Sequence, residues 1–239
     1  MKIHPFIFNW KGQYEKTLRT ESQLLEIFDN VTVINSYEDY KKDSWINLDK
    51  DAYFAEQFVT ACKMFDGDVM MHVQGDATYH DWKPVVDSAR HYYTKYNYGI
   101  YAPNVDFTQY HSSIVDIDNE GLEEDYNLKN VTATDCTAWF IGKDILKEFQ
   151  SNWEEYLKTK FGWGICSLFG AYCKLKRKKI IRDYSYTIDH PYHTNYSREN
   201  ASQMAKDFIN ILDKKIIDNI PSKRGKKNKP KFIFYPRVP

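Results

Sequence analysis

Asp66-Gly-Asp-Val-Met-Met-His-Val-Gln-Gly-Asp-Ala-Thr-Tyr79 is the stretch on which the fold turns. Val69 to Val73 reads as a short apolar strand that runs straight into a polar tip, Gln74-Gly75-Asp76. A strand buried on both faces of a parallel sheet shows such a continuous run rather than an alternation. Open α/β sheets bind ligands beyond the carboxyl ends of their strands, where the loops diverge and leave a crevice. Asp76 therefore offers a carboxylate where a phosphate-bearing ligand and its divalent cation would sit. An ordinary polar turn has the same local sequence, so the rest of the chain carries the decision.

Outward from that strand, strands alternate with helices. Pro5-Phe-Ile-Phe-Asn9 reads as a first buried strand, and Tyr14, Leu18, Leu25 and Phe28 as the covering face of a helix. Val31-Thr-Val-Ile-Asn35 is a second, β-branched strand. Strand, helix and strand within about 30 residues make a βαβ unit with a right-handed crossover. After a polar and aromatic loop from Lys42 to Asp49, Phe54, Phe58, Cys62 and Phe65 recur at helical spacing, with Gly67 as the expected C-terminal cap.

Beyond the tip, Pro84 suits the first turn of a helix that buries Val85, Val86, Ala89 and Tyr93. Gly99 to Ala102 and Ser113 to Ile117 are the next two expected strands, followed by an acidic solvated loop. Val131 to Thr134 and Ala138 to Ile141 flank Asp135-Cys-Thr137, and Lys143 to Phe149 reads as a short helix. Phe161-Gly-Trp-Gly164 breaks the chain before a helix over about 165–175. Lys179 to Ile188 has strand character and leads into Asp189-His190-Pro191. Ser197 is a good N-cap for a last helix that buries Ala201, Met204, Phe208, Leu212 and Ile216 and ends near Lys214. One α/β domain over 1–218 is expected, with a basic, breaker-rich extension over 219–239 in which Phe232 to Tyr235 is a candidate added strand.

Composition narrows the classes. The 239 residues suffice for a substantial core, and 33 basic against 33 acidic side chains leave no global field for nucleic acid or an anionic membrane. Cys62, Cys136, Cys166 and Cys173 make no CxxC pair and no zinc spacing, as suits reduced thiols in a cytoplasmic protein. Met1-Lys-Ile-His-Pro is too soon interrupted for a signal peptide, and no apolar run nears the roughly 18 residues of a membrane helix. No Walker lysine motif and no GxGxxG is present.

The order of four features carries a resemblance: the first βαβ unit, the strand ending in Asp76, the Gly162-Trp-Gly164 segment and the strand ending in Asp189-His190-Pro191. It resembles the nucleotide-sugar glycosyltransferases of the GT-A fold, the family-2-like enzymes in particular, over about 5–208. The resemblance implies a Rossmann-like mixed, mostly parallel sheet flanked by helices. It also implies an Asp-x-Asp motif that holds Mn²⁺ or Mg²⁺ on the donor diphosphate; here that motif looks like Gln74-Gly75-Asp76, with an amide for the first carboxylate. Asp76 is then the direct metal ligand and His190 the second, with His80 and His193 as lesser candidates.

The same resemblance puts Asn9, Trp10, Glu38, Asp39, Asn47 and Gln74 on the nucleotide side. Relatives carry an Asp after Gly-Trp-Gly-x as general base, whereas this chain has Cys166. A neutral thiol is a poor base, so Asp135 takes the catalytic role, with Trp139, Trp163 and Cys166 lining the acceptor side. The implied reaction is metal-assisted transfer of a sugar from a nucleoside diphosphate sugar to an acceptor hydroxyl, inverting if Asp135 is the base, with a glycan acceptor first in line. Two alternatives stay open at this point. One is a DNA-modifying phage glycosyltransferase whose basic tail grips phosphates. The other is a non-catalytic nucleotide-sugar or glycan-binding module, suggested by Gln74 and Cys166.

Overall fold

The computed structural model describes residues 1–37, 39–49, 51–108, 110–117, 121–122, 125–191 and 196–221. Glu38, His193 and the candidate strand at Phe232 to Tyr235 lie outside the described residues.

The N-terminal half forms β1 (Ile3–Asn9), α1 (Tyr14–Leu25), β2 (Thr32–Asn35), β3 (Ile46–Asn47), α2 (Phe54–Met64), β4 (Val69–Gln74), α3 (Trp82–Tyr96) and β5 (Ile100–Val105). Then come α4 (Ser112–Val115), β6 (Leu128–Asn130), β7 (Ala138–Gly142), α5 (Lys143–Gln150), α6 (Trp153–Leu157), α7 (Ile165–Leu175), β8 (Ile180–Ile188), α8 (Arg198–Asn210) and α9 (Lys214–Ile217). Among the described residues the strands make one eight-stranded sheet in the order β3-β2-β1-β4-β7-β5-β8-β6. β1 is parallel to β2 and β4, and β5 is parallel to β8; β7 runs antiparallel between the two groups, and β6 antiparallel at the edge.

Both faces of the sheet are covered, which is why its central strands read as unbroken apolar runs. Phe6, Phe8, Met70, Trp139 and Ile141 point to one core with Phe58, Phe149 and Phe169. Ile7, Val33, Met71, Val73 and Phe140 point to the other, with Val85, Val86 and Ala89 of α3. His72 is the exception in the organising strand. It is fully buried, its ring 4.4 Å from that of Phe8 and flanked by Phe54 and Phe58. Burial alone drives its pKa down to about 3, so the imidazole is neutral.

Several expectations are corrected. Gly67 is no helix cap: α2 ends at Phe65 in extended backbone, and a Cβ on Gly67 would meet the Lys2 carbonyl oxygen at 2.9 Å. Glycine is needed there for close approach to the chain entering β1. Ser113 to Ile117 is not a strand but the single turn α4, with Asp116 bridged to Val131; so short an apolar run suits either state. The edge place beside β8 goes to β6, so residues 131–137 form a connecting loop. β3 and α6 were too short to show a period. The last helix stops at Asn210, and α9 is a separate turn. Ile220 is buried and Pro221 abuts Gly170.

Candidate functional site at the strand ends

Strand geometry opens a crevice. β5 pairs with β7 only at Ile100 and Tyr101 and then follows β8 as far as Val105, whereas β7 stays on β4 down to Ala138. The carboxyl ends of β4 and β5 therefore part. The tip of β4, the segment after β5, the loop before β7 and the end of β8 converge there.

At the tip, Gly75 is dictated by space: a Cβ would come 2.5 Å from the Phe8 carbonyl oxygen and 2.8 Å from the Thr17 hydroxyl. Asp76 follows, nearly buried, with Oδ1 3.6 Å from Nε2 of His190. An antiparallel bridge between Thr78 and Asp189, with two backbone hydrogen bonds of 3.0 Å, fixes the two chain segments together. The His190 N–H also donates to the Asp106 carboxylate at 2.9 Å, which ties the end of β5 to the same place. The two expected metal ligands are thus brought together.

Asp135, in the loop before β7, lies half-buried and accepts a hydrogen bond from the Thr108 hydroxyl. Gln74 donates to the Cys136 carbonyl at 3.3 Å and approaches its sulfur at 3.7 Å. A hydrogen bond with Cys166, then burial, hold the Cys136 thiol well above its ordinary pKa. Burial first, then Cys166 and Asp135, raise the Tyr110 hydroxyl likewise. Neither group ionises near neutrality, so Asp135 is the carboxylate this corner of the site offers. Burial also raises the Tyr196 hydroxyl, the hydrogen bond with Trp163 lowers it, and Cys136 and Asp76 add smaller upward contributions.

The Gly-Trp-Gly segment is held in left-handed backbone at Gly162 (φ 80°) and Gly164 (φ 95°), and a Cβ on Gly162 would strike Phe54 at 2.1 Å. Trp163 between them donates its indole N–H to Tyr196 at 2.9 Å, and Tyr196 stacks on Phe161 at 4.3 Å.

Two expected ligand contacts are corrected. Trp139 is fully buried and packs against Phe169 at 5.6 Å, so no face of its indole is open to an acceptor. Asn9 is also fully buried. Its amide donates to Asn35 at 2.7 Å and accepts from Thr17 at 2.8 Å, and Asn35 donates on to Asn47 at 2.8 Å. This ladder of amides ties the ends of β1, β2 and β3 together, and Asn9 has no polar atom left at the surface. Asn47 is exposed at the end of the ladder, Asp39 is exposed, and Trp10 is half-buried against the core. Sequence reasoning missed Asp106, Thr108 and Tyr110; the strand-end argument that found Asp76 also applies to the end of β5.

No family model matches the chain, and no curated protein matches it in sequence. Solved structures match it in shape. GalNAc-T7, solved with UDP, GalNAc and Mn²⁺, superposes at a TM-score of 0.63 over 90% of this chain and 49% of that one, at 9% identity. S. aureus TarS 1–349, solved with UDP-GlcNAc, superposes at 0.53 over 92% of this chain and 82% of that one, at 10% identity. The chain has the GT-A fold. It spans about half the length of the GalNAc-T7 chain, and at these identities the likeness is one of architecture. At the strand ends of this sheet, the Asp76 tip and the His190 end lie side by side.

Proposed function

We propose that this chain is a family-2-like glycosyltransferase that moves a sugar from a nucleoside diphosphate sugar to a hydroxyl of a glycan acceptor. The observation that carries the reading is the Asp76–His190 pair at the crevice of a GT-A sheet. That GalNAc-T7 was solved with UDP, GalNAc and Mn²⁺, and TarS with UDP-GlcNAc, supports a nucleotide sugar as the donor class. The domain over 1–218 would hold the machinery, with 219–239 as an accessory extension.

Among the described residues no group of three or more His, Cys, Asp and Glu could hold a cation unaided. Asp76 and His190 supply one carboxylate oxygen and one imidazole nitrogen. That donor pair fits a cation shared with substrate phosphates, Mn²⁺ better than Mg²⁺. Bound there, the cation would supply positive charge where the leaving diphosphate grows negative.

The chain's own residues do the rest. Trp10, Asp39 and Asn47 border the nucleotide end, at the tips of β1 to β3, and Glu38 is proposed for the same role. Asp135 takes the proton of the acceptor hydroxyl as it attacks the anomeric carbon, and displacement from the opposite face inverts that carbon. Trp163 and Cys166 border the acceptor side. A thermal-shift panel of UDP, GDP, CDP and their sugars, with and without Mn²⁺, tests the reading. Stabilisation by one nucleotide series that grows with Mn²⁺ is expected; no response to any member would end it.

A further inference from the structure

We infer that Thr108 positions the Asp135 carboxylate and that Arg182 holds the Thr108 segment in place. The inference rests on the reading of Asp135 as the acceptor-side base. Thr108 lies three residues past the end of β5, in the segment that also supplies Asp106 to the backbone of His190. Its hydroxyl oxygen accepts the Tyr110 N–H at 2.9 Å, and its proton goes to Oδ2 of Asp135. A hydroxyl that accepts from a fixed N–H has its rotation set, so its single proton is aimed rather than free to swing. A hydrogen bond to an ionised carboxylate is among the stronger ones, and it orients the group that receives it.

Arg182 explains why the segment stays put. It is a β8 residue only 3% exposed, and its guanidinium reaches two oxygens on either side of the turn, the Tyr110 carbonyl and the Asn104 side chain. The plane lies 4.7 Å from the Tyr184 ring centroid. Among the described residues no carboxylate pairs with it. Burying a cation against neutral oxygens is costly, and a hydrophobic side chain would fill the same volume more cheaply. What the guanidinium adds is a rigid fork that spans Asn104 and Tyr110 at once, which a lysine cannot do. Arg182, Tyr110, Thr108 and Asp135 thus form one directed chain from the sheet to the candidate base.

The test compares Thr108→Val, Thr108→Ser and Arg182→Lys with the parent protein, using the donor found in the nucleotide panel. Thr108→Val should lower turnover by roughly 10- to 100-fold, the scale of a misplaced catalytic group, with donor affinity unchanged. Thr108→Ser keeps the hydroxyl and should restore turnover to within a few-fold, while Arg182→Lys should resemble Thr108→Val. A second readout needs no activity: the side-chain carboxyl carbon resonance that Asp135→Asn removes should shift in Thr108→Val and not in Thr108→Ser. An unmoved resonance in Thr108→Val, or a serine variant as impaired as the valine, overturns the inference. Full turnover in Asp135→Asn, by contrast, overturns the base reading alone.

Discussion

Nε2 of His190 lies 3.6 Å from Oδ1 of Asp76, although the strands they follow, β4 and β8, lie far apart in the sequence. Nothing local brings them together. β4 and β8 are separated in the sheet by β7 and β5, and the contact exists because the segments beyond the strand ends bridge at Thr78 and Asp189. On the proposed function, this carboxylate and imidazole at the mouth of the strand-end crevice would serve as a donor pair for the cation.

Replacing either member should therefore separate ligand binding from folding. Asp76→Ala is expected to abolish the Mn²⁺-dependent part of nucleotide binding and leave the melting temperature of the unliganded protein within a few degrees. His190→Ala should weaken the Mn²⁺ dependence without removing it, since the carboxylate remains. Isothermal titration of the nucleotide with and without Mn²⁺ reads both. Unchanged affinity in Asp76→Ala would sink the assignment.

Gly75 sits where a methyl group cannot. A Cβ would press on the Phe8 carbonyl, which is backbone in the middle of the sheet and cannot yield. Gly75→Ala is expected to cost about 1–3 kcal/mol of stability, the usual scale of overpacking a tight site. It should also displace the Asp76 carboxylate and weaken Mn²⁺-dependent binding. Urea unfolding and the same titration check the two effects together. A stable variant with parental binding would mean that the tip is freer than its packing shows.

How far the sequence reaches can be judged at particular residues. The organising strand and its tip were legible because double-sided burial leaves an unbroken apolar run, and a glycine before an acid marks where the run stops. Helix α7 was legible because the left-handed glycines on its N-terminal side stand out in the sequence. Trp139 misled because a strand residue near the tip reads the same whether its ring faces the crevice or the core, and here it faces the core. Asn9 misled for a related reason: a polar residue at a strand end is as able to pair with the neighbouring strand end as with a ligand. Thr108 and Arg182 carry no spacing at all, since their partners come from segments remote in sequence.

His72 makes a prediction about pH. Its folded pKa is depressed to about 3, while the unfolded value stays near the ordinary 6.5. The unfolded chain therefore takes up a proton below about pH 6.5 that the folded chain refuses, and stability falls as the pH drops from there toward 3. Between about pH 7.5 and about pH 5 this group alone should remove about 2 kcal/mol. His72→Leu should flatten that part of the profile, whatever it does to stability at neutral pH. Urea midpoints for both proteins at the two pH values give the comparison, and parallel losses would show that the imidazole is solvated in the folded state.

Cys166 and Asp135 decide where the acceptor proton goes. Cys166 stands where the resemblance to family-2-like enzymes implies a carboxylate, and its sulfur is engaged with the Cys136 thiol and the Tyr110 hydroxyl. Cys166→Ser should therefore keep most of the turnover, because a small polar side chain replaces another. Asp135→Asn keeps the shape of the side chain and its place beside Thr108 but removes the base, so turnover should fall roughly 10²-fold or more. Donor affinity should survive, since the proposed function gives Asp135 the acceptor side and leaves the donor to Asp76 and His190. Should Cys166→Asp raise turnover while Asp135→Asn changes nothing, the base would belong to the Gly-Trp-Gly segment. Asp135 would then be the anchor of the Thr108 segment, with the direction of dependence between the two reversed.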